Sequence, residues 1–168
     1  SADLMGIYNT AIRDLFTNPN GVQTLVIDSL TTIYRIWKDT ILYTNKLPAL
    51  RISDYGTLES ILFRQFLPTL KSLNEKIPWI ILIDHEDMDK DELSGAVSEF
   101  PIGPSRAMGK MMSEAFDEIW RQRLEQGEYI WRTRAHGRFS SAGSRNSLPD
   151  PLKPATYQEL EKYIGGKK

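Results

Sequence analysis

The chain has 168 residues, 40% hydrophobic, 10% aromatic and 26% charged; that is the size of one domain and the make-up of a folded globular protein, and it excludes collagen-like, low-complexity and wholly disordered classes. Twenty-one Lys and Arg against 22 Asp and Glu leave a formal charge of -1, so no global positive field marks a nucleic-acid or membrane binder, and any such role falls to a local patch. The absence of cysteine removes disulfide frameworks, thiol nucleophiles and zinc ribbons, and the longest apolar run, Trp79 to Ile83, is five residues, against roughly 18 for a membrane span; with no basic, apolar, small-residue leader pattern at the N-terminus, a cytoplasmic protein without a membrane partner is the expectation.

Residues 3 to 16 carry Leu4, Ile7, Tyr8, Ile12 and Leu15 at helical spacing and end in Asn18-Pro19-Asn20-Gly21, which predicts an amphipathic helix and a turn. Thr24-Leu25-Val26-Ile27 predicts a buried strand ending at Asp28, and residues 30 to 42 a helix with Leu30, Ile33, Tyr34, Trp37 and Ile41 on one face. Asp54 is the expected N-cap of a long helix bearing Leu58, Ile61, Leu62, Phe66, Leu70 and Leu73, kinked at Pro68. Trp79 to Ile83 predicts a second buried strand, and two apolar strands separated by helices predict a parallel sheet. From Asp84 to Glu99 seven acids meet one lysine, and 86–104 reads as an acidic, mobile loop. Ser105 to Ala115 reads as helical. Phe116 to Leu124 and Glu128 to Ala135 read as an antiparallel hairpin turning at Gln126-Gly127, 137–155 as a basic, proline-rich loop, and Thr156 to Ile164 as a terminal helix.

An apolar strand ending in Asp28-Ser29 sets a carboxylate at the carboxyl edge of a parallel sheet, where open α/β folds bind ligands. In P-loop nucleotidases an acid there holds Mg²⁺; the plainer alternative is an Asp28 side chain capping the next helix. Asp84, His85 and Glu86, with Asp28, offer a second alternative, the clustered acids of a metal nuclease, although neighbours on a strand point to opposite faces. Asp87-x-Asp89-x-Asp91 begins like a calcium loop but has Glu92 where glycine is needed. Ser29, Ser140 and Ser141 lack the Gly-x-Ser-x-Gly elbow of a serine hydrolase.

The order Leu25-Val26-Ile27-Asp28-Ser29-Leu30-Thr31, Trp79 to His85, Phe116-Asp117-Glu118-Ile119 and Tyr129-Ile130-Trp131-Arg132-Thr133 resembles the RecA-like ATPases of bacteriophages, nearest to their AAA-type nucleotide-binding and single-strand-annealing proteins, from about residue 12 to about residue 147. The resemblance implies an α/β, RecA-like parallel sheet flanked by helices, with a C-terminal antiparallel hairpin, as one domain over 1–168. It implies ATP and Mg²⁺ as cofactors, with Asp28 as the Walker B acid at the metal, Ser29 as the nucleotide-site hydroxyl after it, and His85 as the sensor of the γ-phosphate. Among Arg134, Arg138 and Arg145, it favours Arg145 as the residue acting in trans on a neighbour's nucleotide, hence a homo-oligomer working in DNA recombination or replication.

The family's phosphate loop, Gly-x-x-x-x-Gly-Lys-Ser/Thr, does not occur in the 168 residues. Gly103 to Lys110 has one residue too many between its glycines and Met111 in place of the hydroxyl. Two expectations follow: this is the Walker B part onward of a longer ATPase, with the phosphate loop upstream, or a shortened, non-catalytic RecA-like module that contacts a protein partner or its own copies. In neither does this chain alone hydrolyse ATP. Arg121 to Arg145 holds six arginines and two glutamates; Arg132, Arg134 and Arg138 with nearby aromatics suit single-stranded nucleic acid, and the alternative is that these arginines pair with the acidic segment.

Overall fold

Helical spacing and the Asn-Pro-Asn-Gly turn produce the first element, α1 (Ala2–Thr17), after which Asn20 and Gly21 turn the chain at positive φ. The computed structural model describes residues 2–139, 142–146 and 148–164, and side chains outside 2–5, 113 and 164; Ser140 and Ser141 lie outside the described residues. The described residues form two compact units, 2–85 with 102–108, and 86–101 with 109–164.

In the first unit, β1 (Thr24–Asp28) leads into α2 (Leu30–Asn45), α3 (Ile52–Glu59), a π-helical stretch (Ser60–Phe66), α4 (Leu67–Asn74) and β2 (Trp79–Ile83). β1 and β2 pair in parallel, Thr24 opposite Trp79 and Asp28 opposite Ile83. The broader RecA-like parallel sheet is not seen: parallel strand pairing among the described residues is confined to these two strands, and the other sheets are antiparallel pairs. The fold is mixed α/β. Apolar residues of α2 (Leu30, Tyr34, Trp37, Ile41) bury with Leu58, Leu62, Phe66, Leu70 and Leu73. At their centre the Trp37 ring meets Phe66 edge-on at 5.3 Å between centroids, and Tyr8 of α1 lies 5.9 Å from Phe66. Two local expectations are corrected. The cap of α3 is Arg51, and Asp54 sits three residues in, its carboxylate accepting the Arg51 N–H at 2.8 Å. The one long helix expected here is divided by the π-helical stretch, and Pro68 falls in the first turn of α4. The Leu67 N–H bonds the carbonyl of Leu62, five residues back, so the π-helical stretch absorbs the hydrogen bond that proline cannot make.

The second unit opens with β3 (Glu86–Lys90) and β4 (Val97–Pro101), an antiparallel hairpin in the segment expected as an acidic loop. Its polarity is inverted. Asp87 and Asp89 are half-buried whereas Met88 is exposed, and Asp89 is paired at 2.6 Å with Lys110. After α5 (Arg106–Met111), whose first three residues belong to the first unit, come a 3₁₀ turn, β5 (Glu118–Ile119), β6 (Arg121–Glu125), β7 (Glu128–Arg132), β8 (Gly143–Ser144) and α6 (Tyr157–Ile164). The expected β6/β7 hairpin forms, and Gln126 and Gly127 both take positive φ, as a two-residue turn between twisted strands requires. Glu118 on β5 holds the later segment, its Oε1 accepting from Ser144 Oγ, Asn146 N and Asn146 Nδ2 at 2.8 to 3.0 Å. Phe100, Met112, Ile130, Phe139, Leu148, Leu152 and Leu160 are among the buried apolar residues of this unit.

Candidate functional site

The carboxyl ends of β1 and β2 lie side by side because the pairing sets Asp28 opposite Ile83, one residue before Asp84. Asp28 is exposed, and its carboxylate makes no hydrogen bond or ion pair among the described residues. The capping role expected as its alternative belongs to Ser29: its backbone is extended, and its buried Oγ accepts the Thr32 N–H at 3.4 Å at the start of α2. Asp28 is thus left open to ligand. The peptide bond between the two is cis.

The end of β2 is tied to α2 through Thr31, a residue the sequence reading did not single out. Thr31 Oγ1 donates to Asp84 Oδ1 at 2.6 Å and lies 3.0 Å from His85 Nδ1, while Asp84 Oδ1 also accepts the His85 N–H at 2.9 Å. Asp84 Oδ2 is buried with no hydrogen-bond partner among the described residues. Burial pushes the Asp84 carboxyl up to about 6, against the pull of its bonds to Thr31 and His85. The same burial, helped by the Asp84 charge, raises the Tyr34 phenol. Asp28, Ser29 and His85 therefore share one edge, with Thr31 and Asp84 added to it.

The arginines lie in the second unit and divide by environment. Arg132 is half-buried and bidentate on Glu125 at 2.8 and 3.1 Å, with Asp150 at 3.8 Å. Arg145 is exposed and paired with Asp117. Arg134 and Arg138 are exposed with no ion pair among the described residues, and the same holds for Arg123, which the sequence reading did not select. These three line a cavity of about 320 Å³ with His136 and Phe139. Arg121, Arg132, Glu99 and Glu125 also line it. The Arg121 guanidinium bonds Glu86 and Glu99 of the acidic hairpin and lies 5.0 Å over the Phe139 ring. Pairing of hairpin arginines with the acidic segment, the alternative drawn from sequence, is thus realised at Arg121. Of the aromatics expected beside the arginines, Phe139 joins them, and Tyr129 and Trp131 do not. Directly opposed residues share a face, so Arg123 and Arg132 lie on one side of the β6/β7 hairpin, and Leu124, Tyr129 and Trp131 on the other, where Trp131 stacks on Trp120 at 5.2 Å.

A family model described as an AAA domain matches residues 6–145. The chain belongs to the AAA-domain family. It is accordingly a nucleotide-binding, ATPase-like module, and AAA domains generally bind ATP with Mg²⁺. No curated protein and no solved structure matches the chain. Against this family membership, the donors at the β1/β2 edge fit the metal half of such a ligand: Asp28 is an open carboxylate, and Mg²⁺ prefers one or two carboxylates with several waters. They do not fit the phosphate half, because no Gly-x-x-x-x-Gly-Lys-Ser/Thr cradle occurs in the 168 residues. Among the described residues no three His, Asp or Glu side chains converge on a metal-sized space, so the clustered-acid arrangement of a nuclease is not formed. Asp91, in the calcium-loop-like run, instead accepts from the backbone and hydroxyl of Ser94. Among the described residues no helix is long and apolar enough to cross a membrane.

Proposed function

We propose that this AAA module is the metal- and phosphate-sensing part of an ATPase of the RecA-like, bacteriophage kind, acting as an oligomer on DNA in recombination or replication. The observation that carries the reading is the β1/β2 edge, where an uncommitted Asp28 ends β1 opposite Ile83 and, two residues further along, His85 is held by Thr31 and Asp84. Asp28 would hold Mg²⁺ through water, and the bound ion would neutralise phosphate charge. Ser29 keeps the start of α2 in register so that Asp28 stays free, and His85 presents its ring beside it. In phosphoryl transfer most of the rate comes from positioning and charge stabilisation, and an arginine supplied by a neighbouring subunit, for which Arg145 is the candidate, would contribute to the latter. Arg123, Arg134 and Arg138 would contact nucleic-acid phosphates.

A weak ligand suits detection by backbone amide NMR. Adding ATP should move the amide signals of residues 28 to 31 and of His85 only when Mg²⁺ is present, and Asp28→Ala should abolish those shifts. Shifts that persist without Mg²⁺ or in Asp28→Ala would overturn the assignment of Asp28. The chain by itself should give no steady ATP turnover. A second reading, a non-catalytic module contacting a protein or its own copies, is favoured by Val26 and Ile83, which stay 52% and 43% exposed on the two parallel strands. It predicts self-association or partner capture with no response to Mg²⁺ and ATP.

A further inference from the structure

The bonds around Thr31 fix more than position. A threonine hydroxyl carries one proton and can accept through its lone pairs. Thr31 Oγ1 lies 2.6 Å from Asp84 Oδ1 and 3.0 Å from His85 Nδ1, so it has two partners and one proton to share. An ionised Asp84 accepts only, and it takes that proton. Nothing remains for Nδ1 but a lone pair, so the bond can form only if Nδ1 supplies its own hydrogen. The His85 N–H closing on the same Oδ1 at 2.9 Å holds the carboxylate in this orientation.

We infer that Asp84, acting through Thr31, is a positioning residue that holds the neutral His85 ring as its Nδ1–H tautomer and leaves Nε2 a bare acceptor. The function of the ring follows from its free atom. Such an Nε2 accepts from a donor, for example a water molecule beside a phosphate, and cannot donate to a phosphate oxygen while the ring is neutral. That use rests on the nucleotide reading above; the hydrogen-bond assignment does not.

Long-range ¹H–¹⁵N spectra of the histidine ring test it directly. His85 and His136 are the two histidines of the chain, so in His136→Gln protein the ring signals belong to His85. At about pH 8, where an ordinary imidazole is neutral and a carboxyl ionised, Nδ1 should carry the proton and Nε2 should be bare. Thr31→Ser keeps the hydroxyl and should keep this pattern, whereas Thr31→Val should move the ring to the Nε2–H form that an unconstrained imidazole prefers. A ring with Nε2 protonated in the parent protein, or a Thr31→Val spectrum identical to the parent's, overturns the proposal. If Thr31→Val does not fold, the parent and Thr31→Ser spectra decide it. A protein that shows the Nδ1–H ring and yet no Mg²⁺-dependent response to ATP keeps this inference and loses the nucleotide reading.

Discussion

Burial of the Asp84 carboxyl between the end of β2 and the start of α2 raises its pKa to about 6, while the hydrogen bonds from Thr31 and His85 recover only part of the shift. An unfolded aspartate titrates near 4. Between about pH 4 and 6 the folded chain therefore holds more protons than the unfolded one, and stability falls as pH rises through that window. Below it the carboxyl is neutral in both states and costs nothing; above it the full cost of burying the charge is present. Asp84→Asn keeps an oxygen acceptor for Thr31 and the His85 N–H but cannot ionise. The variant should match the parent near pH 4 and exceed it above pH 6 by about 1 to 2 kcal/mol, the roughly 3 kcal/mol of a two-unit shift being discounted for partial solvent exposure. Tyr34, the buried phenol nearby, stays protonated throughout the range. Urea melts across the window check this, and a difference that does not change with pH would mean that Asp84 pays no such cost. A carboxyl raised by burial at the end of β2 accords with the proposed reading of this edge as a ligand site.

At the level of elements, the acidic hairpin is held by a residue on another strand. Arg121 of β6 spans Glu86 and Glu99, its side chain 11% exposed, with Phe139 beneath it. Removing one partner of a buried ion pair strands the other charges, so Arg121→Ala should destabilise the protein by about 3 kcal/mol. Arg123→Ala, two residues along on the exposed hairpin surface, should stay within about 0.5 kcal/mol of the parent; equal losses in denaturant melts would deny Arg121 its clasp. The same element explains what sequence could and could not disclose. α2 was legible because it buries an apolar face, and periodicity reports burial; β1 and β2 were legible as apolar runs, but the expectation that they are buried is not met, since their residues are half-buried or exposed, Val26 and Ile83 among the exposed. β3 was not, because the sides of the strand are inverted: its inward positions are Asp87 and Asp89, of which Asp89 is paired with a lysine 21 residues away, while Met88 faces out. At the site, Asp28 and His85 were legible as polar ends of apolar strands. Asp84 was legible as a candidate metal-ligating acid, but its bond to Thr31 was not, since it joins residues 53 apart in the chain and a lone threonine in a helix carries no signal. Arg132 and Arg123 look alike in sequence, and only the cross-strand environment makes one an ion-pair partner and leaves the other open.

Over the whole molecule the charge of -1 conceals segregation. The acidic hairpin and the arginine-rich segment sit in the same unit and pair through Arg121, while Lys110 of α5 pairs with Asp89 and Arg132 is matched by Glu125. What remains uncommitted around the cavity is Arg123, Arg134 and Arg138. That surplus limits the affinity any nucleic acid can gain. Each phosphate neutralised on a single strand releases counterions and contributes about -0.7 to the slope of log affinity against log salt. Three contacts give a slope of about -2, and Arg134→Ala with Arg138→Ala should bring it to about -0.7. Arg132→Ala should leave the slope unchanged, because its guanidinium is already held by Glu125. The aromatics on the far face of the hairpin add no stacking to this groove, so Tyr129→Ala should not weaken binding and pyrimidine and purine strands should bind alike. Anisotropy of a labelled oligothymidylate from about 50 to 200 mM salt measures the slope. A double variant that retains the parent slope would remove nucleic acid from this groove. A Tyr129→Ala variant that loses affinity would instead move the strand to the face where Tyr129 and Trp131 lie, and the arginines would then serve only to balance the acids around them.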